Sequence, residues 1–281
     1  MAVPPDDLRR HRHVRDHEVI ASASNQTVRL IRSLGRRKGR EASGLFIVEG
    51  ERGVSDALEA GIEPYAIVLR DGYVAGPAVL GTAPAAGDDR VRVLDAALFD
   101  SVSDTVHPQG ILAVLPIPVA PALPALATLI VLLDGIRDPG NMGTLLRSSA
   151  AAGADAVIIG EGSVDPWNPK VVRAAIGAHF RVPVLPAGSI DAGRLETVAI
   201  RAIAGAGAEL DYDRADWSEP VLLIVGSEAD GPGVASRAMA NWAVSIPMAA
   251  GVESLNAAVA GSVILFEIAR QRRSGSRRAK K

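Results

Sequence analysis

Two stretches of this chain, Thr128–Leu133 and Val221–Val225, run as continuous apolar segments with no polar alternation. A strand of that kind has to be covered on both faces. That is the situation of a parallel sheet between layers of helices, not of an antiparallel sheet with one wet side. The rest of the C-terminal half fits this frame. Strands are predicted at Ala156–Ile159, Ala199–Ala204 and Ala243–Ile246, and helices from about Asn141 to Ala152, about Pro169 to Ala178 and about Ser254 to Arg272. Strands alternating with helices predict a parallel α/β sheet.

The N-terminal part reads as a smaller α/β domain. Strands are expected at Leu45–Val48, Tyr65–Leu69, Val91–Leu94 and Gly110–Val114, a helix at Glu51–Ala60, and loops over 71–90. The uncharged run Ile111–Leu133 is long enough to cross a bilayer. It contains Pro116, Pro118, Pro121 and Pro124, and a proline inside a helix costs about 3 kcal/mol. Strand, stiff linker, strand is the expected reading, and no membrane span. With 281 residues, two domains are the expectation. We place an N-terminal domain at 1–115, a proline-rich linker at 116–127, a second domain at 128–272 and a disordered basic tail at 273–281.

Charge is distributed unevenly. Residues 1–40 hold ten Arg and Lys (Arg9, Arg10, Arg12, Arg15, Arg29, Arg32, Arg36, Arg37, Lys38, Arg40) against four acids. Residues 270–281 hold seven (Arg270, Arg272, Arg273, Arg277, Arg278, Lys280, Lys281) against none. Those ends carry +6 and +7 within a total of −2, which leaves −15 for residues 41–269. Clustered cations suit a polyanion held by counterion release, and equally suit solubilising tails. The chain has no cysteine, which excludes disulfides, thiolate metal sites and thiol catalysis and fits a reducing, cytoplasmic setting. No apolar run follows Met1–Val14, so no secretory leader is expected.

Ligands of open α/β sheets bind beyond the carboxyl ends of the strands, and three loops there are unusually specified. The first is Asp138-Pro-Gly-Asn-Met-Gly143, followed by Arg147. Asn141 is expected to cap a helix, and the guanidinium of Arg147 suits a phosphate. The second is Gly226-Ser-Glu-Ala-Asp-Gly-Pro-Gly233, where the glycines permit close backbone approach and Glu228 offers a carboxylate to a hydroxyl or amine. The third is Ile246-Pro-Met-Ala-Ala-Gly-Val-Glu-Ser-Leu-Asn256. Its Ile246, Met248 and Leu255 would clamp a flat ring, with Ser254 as a helix cap. Taken singly, each loop reads as well as an ordinary turn or cap.

Other site types lack their residues. No strand is followed by G-x-G-x-x-G, which argues against a nicotinamide-type oxidoreductase, and no G-x-x-x-x-G-K-[ST] is present. His11, His13 and His17 lie in the basic leading segment, and His107 and His179 are isolated, so neither a metal cluster nor a Ser–His–Asp triad is expected. Packing is the expected role of His179, as it is of Trp167, Trp217 and Trp242.

Taken in order, the three loops resemble the three motifs of the SpoU-type (TrmH-like) RNA ribose methyltransferases of the SPOUT superfamily. The first motif appears as Asn141, Gly143 and Arg147, and the second as Gly226, Ser227, Glu228 and Gly231. The third appears as Ile246, Pro247, Met248, Glu253, Ser254, Leu255 and Asn256. The run Arg37-Lys38-x-Arg40, then Gly44-x-Phe46-Ile47-Val48-Glu49-Gly50, resembles the family's N-terminal substrate-binding domain. Departures are Ala229, where relatives often have glycine, and Ala257–Ala258, where a β-branched residue is usual.

The resemblance implies a trefoil-knotted parallel-sheet domain, a homodimer, and S-adenosylmethionine as the methyl donor with no metal. It implies a cofactor site at Gly226, Ile246, Met248 and Leu255, and a reacting ribose gathered by Asn141, Arg147, Glu228, Ser254 and Asn256. RNA, ribosomal by preference over transfer RNA, would be held by Arg36, Arg37, Lys38 and Arg40. The rival from another class is a non-catalytic RNA-binding protein that keeps the fold.

Overall fold

The computed structural model describes residues 17–76, 88–119, 122–124, 126–189, 195, 198–205, 208, 210–228 and 230–278, with the side chains of 275–278 excepted. Expectations for Arg9, Arg10, Arg12, Arg15, His11, His13, Ala229, Lys280, Lys281 and most of the 71–90 loop lie outside the described residues. The chain divides into two compact units, residues 1–118 with 167–180, and residues 119–166 with 181–281.

The first unit holds a five-stranded sheet of β1 (Val19–Ile20), β2 (Leu45–Glu49), β3 (Ala66–Arg70), β4 (Val91–Leu94) and β5 (Ile111–Pro116), in the order β1-β4-β3-β5-β2. Its β3/β4 and β1/β4 pairs are parallel, while β5 runs antiparallel to β2 and β3. Successive strand side chains point to opposite faces. Leu112 and Val114 therefore meet α1 (Gln26–Leu34) and α4 (Ala96–Val102) through Val28, Ile31, Leu34, Leu98 and Phe99. Ile111, Ala113 and Leu115 point the other way, with Phe46, Val48 and α3 (Glu51–Glu59). Two short helices inside the basic leading segment escaped the sequence reading, α1 and α2 (Arg37–Ser43). The N-cap Asn25, which accepts from Thr27 N, and the core triplet Val28, Ile31 and Leu34 were the available signals.

That second face is completed from far along the chain. Trp167, Val172 and Phe180, flanking and within α6 (Pro169–Ala175), join Phe46 and its neighbours, with the Phe46 and Trp167 rings 4.8 Å apart. His179 is buried and stands 5.0 Å from the Trp167 ring, a packing role as expected. Residues 167–180 thus belong to the first unit, although contiguity in sequence placed them in the second domain. An apolar helix goes where uncovered apolar surface is.

The second unit is a seven-stranded sheet of β6 (Leu129–Asp134), β7 (Ala156–Ile159), β8 (Val184–Pro186), β9 (Ile200–Ala204), β10 (Leu210–Asp211), β11 (Val221–Gly226) and β12 (Trp242–Ser245). The order is β10-β12-β9-β11-β6-β7-β8 and every pair is parallel. Ile130, Leu132, Leu222 and Ile224 form one core with Leu123, Ala156, Ile158, Leu185, Leu195 and Val198. Val131, Leu133, Leu223 and Val225 are buried as well, which accounts for the unbroken apolar runs. α7 (Val234–Met239) links β11 to β12, and on that other side α5 (Pro139–Ala152) packs closely on α8 (Ala257–Arg278). A Cβ at Gly261 would lie 2.6 Å from Leu145 and 3.1 Å from Val225, and Ser148 and Ser262 share a 2.7 Å hydrogen bond. Trp217 is fully buried, 5.9 Å from the Trp242 ring.

Two expectations for α8 are corrected. It begins at Ala257, not Ser254, because the Asn256 Oδ1 accepts from Ala258 N at 2.9 Å and Val259 N at 3.2 Å. It continues through Arg278, so most of the tail placed at 273–281 is helical; nothing between Arg272 and Arg278 is a proline that would end it. The run Ile111–Leu133 contains β5 and the start of β6, and among the described residues no helix is long and apolar enough to cross a membrane.

Candidate functional site

The register of the second sheet sets the site. Gly226 at the end of β11 pairs with Asp134 at the end of β6, so the loops after these strands leave from neighbouring positions. β9 separates β11 from β12, whose end delivers the third loop to the same edge.

After β6 the chain turns through Gly135, at φ +70, into α5. The helix is capped by Asp138 and not by Asn141. The Asp138 Oδ1 accepts from Asn141 N at 2.8 Å, with Pro139 in the first turn. That leaves the Asn141 amide for longer-range contacts. The second loop closes on itself. Gly231 N donates to Ser227 O at 2.9 Å, Asp230 N to Ser227 Oγ at 3.0 Å, and Asp134 Oδ2 accepts from Gly233 N at 2.7 Å. A Cβ at Gly226 would lie 2.1 Å from Pro232 N. Turn closure therefore requires that glycine before any ligand is considered.

One carboxylate oxygen joins all three loops. Glu228 Oε1 accepts from Asn141 Nδ2 at 2.8 Å, from Asn256 Nδ2 at 2.5 Å and from Ala257 N at 3.2 Å. Asn256 Nδ2 also reaches Asn141 Oδ1 at 3.0 Å. Of the sequence-predicted ribose residues, Asn141, Glu228 and Asn256 are thus brought together. Ser254 and Arg147 are not. Ser254 is exposed and makes no hydrogen bond among the described residues, the capping role having gone to Asn256. Arg147 is exposed on α5 and meets no hydrogen-bonding or ionic partner among the described residues. Six residues of helix separate it from Asn141 by about 9 Å of rise and roughly a third of a turn.

The third loop has the properties a planar ligand needs. Ile246 and Met248 are half-buried and Leu255 is 37% exposed. Over 246–255 the only backbone–backbone hydrogen bond among the described residues runs from Val252 N to Ala249 O. Most of its amides and carbonyls are left to a ligand or to water. These residues fit an adenine-bearing cofactor, with apolar walls and backbone groups at the edge. Among the described residues, no group of three or more His, Asp or Glu is placed to hold a metal ion.

The cations proposed to hold RNA are distributed differently from expectation. Arg36 and Lys38 are exposed, but Arg37 is engaged by Glu41 at 2.8 Å. Arg40 is 2% exposed and donates to Leu34 O at 2.7 Å, which satisfies the C-terminal end of α1. It cannot reach a polyanion. Arg29 and Arg32, which the sequence reading had only counted, lie exposed on α1 between its core positions. At the chain's other end, Arg270 pairs with Glu267 at 2.7 Å, and Arg272 donates to Thr128 O at 2.7 Å.

Known proteins resemble this chain over most of its length. The family model "SpoU rRNA Methylase family" matches residues 128–266, and the model "MRM3-like substrate binding domain" matches residues 25–113. The 23S rRNA (guanosine(2553)-2'-O)-methyltransferase RlmP of Bacillus subtilis is 33% identical over 254 residues, covering 89% of this chain and 98% of that protein. The SpoU methyltransferase AviRb of Streptomyces viridochromogenes, solved with AdoMet, superposes with a TM-score of 0.77 at 28% identity, covering 89% of this chain and 99% of that one. An AdoMet-bound rRNA methyltransferase from Sinorhizobium meliloti gives 0.76 at 30% identity, covering 90% and 97%.

Proposed function

Because this chain belongs to the SpoU rRNA methylase family, we propose that it transfers a methyl group from S-adenosylmethionine to a ribose 2′-hydroxyl of ribosomal RNA. The observation that carries this reading is the junction at Glu228 Oε1, which gathers Asn141 and Asn256 from loops 115 residues apart in sequence. Two preset amides and a carboxylate at a strand-end edge suit a polyhydroxylated ligand, and holding them in place beforehand lowers the entropic cost of aligning the reacting oxygen.

The roles follow from the chemistry of each group. Gly226, Ile246, Met248 and Leu255 hold the cofactor, which supplies an electrophilic methyl group on a sulfonium. Asn141, Glu228, Asn256 and Ser254 orient the ribose. Arg147 stabilises the oxygen as its proton leaves. With a pKa above about 12, a guanidinium is a poor base and a good anion partner. Arg29, Arg32, Arg36 and Lys38 hold RNA phosphates, which position without reading sequence. We also assign the family's trefoil knot to the second unit and a cytoplasmic place of action.

A homodimer belongs to the same proposal. Val252, Val259 and Phe266 leave 50%, 47% and 47% of their surface exposed, and the last two lie seven residues apart along one side of α8. A second copy covering that side predicts a dimer in light scattering that Phe266→Glu reduces to monomer. A monomeric wild type would remove it.

The activity is tested with full-length protein, labelled S-adenosylmethionine and 23S rRNA transcribed without modifications, beside bulk tRNA. Label at one ribose of the rRNA, at a linkage resistant to alkali, is expected. Label on a base, on tRNA alone, or none at all would overturn the reading.

A further inference from the structure

The rim of the candidate site is acidic, and one arginine in it is only loosely engaged. Four carboxylates border the Asn141–Glu228–Asn256 junction or the turns that build it, namely Asp134, Asp138, Glu228 and Asp230. Three have fixed donors. Asp134 takes Gly233 N, Asp138 takes Asn141 N, and Glu228 takes two amides and Ala257 N. Among the described residues the carboxylate of Asp230 meets only Arg137, whose Nη2 stands 3.5 Å from Asp230 Oδ2, with the two side chains 72% and 68% exposed. So long and wet an ion pair contributes little stability. A second arginine nearby, Arg237, is already engaged, donating to Asp230 O and bracing the turn.

Resting on the methyl-transfer reading, we propose that Arg137 is the phosphate-binding residue for the nucleotide being methylated, and that Asp230 holds its guanidinium in place until RNA displaces it. A ribose 2′-oxygen sits beside the 3′-phosphodiester of its own nucleotide. A site that grips that ribose among four carboxylates has to neutralise the phosphate that arrives with it. Arg137 lies four residues before Asn141, on the loop that carries it, and offers planar paired donors that match a phosphodiester. The Asp230 carboxylate has the same charge and a similar acceptor geometry. Exchange of partners therefore costs one weak pair and gains a charge-assisted contact.

The test compares Arg137→Ala, Arg137→Lys and Asp230→Asn with Arg214→Ala, which removes a similarly exposed arginine paired to Asp211 at 3.5 Å, beside β10 and four strands from β6 in the sheet. Methylation kinetics and filter binding use the unmodified 23S rRNA transcript over a salt series, and calorimetry with S-adenosylmethionine reports an intact cofactor site. Arg137→Ala should raise the KM and Kd for RNA about tenfold and lower the salt slope of binding by about one. Cofactor affinity should be unchanged and Arg137→Lys intermediate. Asp230→Asn should tighten RNA binding severalfold, and Arg214→Ala should match wild type. A wild-type salt slope in Arg137→Ala overturns the proposal. So does an Asp230→Asn variant that binds RNA as poorly as Arg137→Ala, the outcome expected if the pair only braces the two loops. If the wild type transfers no methyl group, the activity assigned above fails, and the binding series still decides the role of Arg137.

Discussion

The two ends of the second sheet are built from the same kinds of group and do different work. At the carboxyl end, Glu228 takes three hydrogen bonds, two of them from side-chain amides on remote loops. At the amino end, Asp155 Oδ2 also takes three, from Thr128 N, Thr128 Oγ1 and Leu129 N, all at the start of β6. The amino end holds an arginine, and the site at the carboxyl end has one assigned to it. Arg272 donates to Thr128 O and Glu219 O, and burial pulls its pKa below the ordinary value against the opposing charge of Asp155. Arg147, by contrast, meets no partner among the described residues. A carboxylate and a guanidinium bound to backbone stabilise strands. The same pair held by side chains, or not held at all, keeps bonding capacity for a ligand.

Substitution at matched positions tests that contrast, and the largest effect belongs to the arginines. Arg147→Ala should cut single-turnover methyl transfer by about 10² to 10³, with cofactor binding and melting temperature little changed and Arg147→Lys only partly restored. Arg272→Ala should do the reverse. Turnover should hold while stability drops by about 2 kcal/mol, since two carbonyls lose a charged donor, or roughly 4–8 °C in a melting scan. Near-wild-type transfer in both Arg147 variants would remove that residue from the mechanism and leave the ends alike.

The carboxylates sharpen the comparison at smaller amplitude. Glu228→Ala leaves two amides unaimed, and transfer should fall about tenfold or more with a small change in melting temperature. Asp155→Ala strips three donors at a strand start and should cost about 1–3 kcal/mol of stability, with KM values for RNA and cofactor unchanged. Equal thermal losses in the two variants would mean that Glu228 is a brace like Asp155.

Much of this was legible beforehand, and the failures have physical causes. Five of the seven strands of the second sheet are legible within a residue or two because burial on both faces imposes unbroken apolar runs; β8 and β10, three and two residues long at the sheet's edges, carry too short a pattern to be seen. Asn141, Glu228 and Asn256 were found from ordered motifs. The caps were misassigned at both helices, Asp138 for Asn141 and Asn256 for Ser254, because Asp, Asn and Ser are all competent caps and only the backbone path decides which is used. Arg40 was read as a surface cation because charge counting cannot see that the end of α1 needs a donor.

Local composition and pattern by themselves determined the longer strands, that the second sheet is parallel, and which loops carry polar side chains at its carboxyl edge, but not the two- and three-residue edge strands β1, β8 and β10. These depend on short-range periodicity and on the solvation of each residue, which sequence records directly. Only the tertiary structure decided that residues 167–180 complete the first unit's core, that Glu228 binds both asparagines through one oxygen, and that Arg137 faces Asp230. Each of these is a meeting of groups 28 residues or more apart along the chain. Such meetings are set by sheet register and by the covering of apolar surface, and no local pattern encodes them.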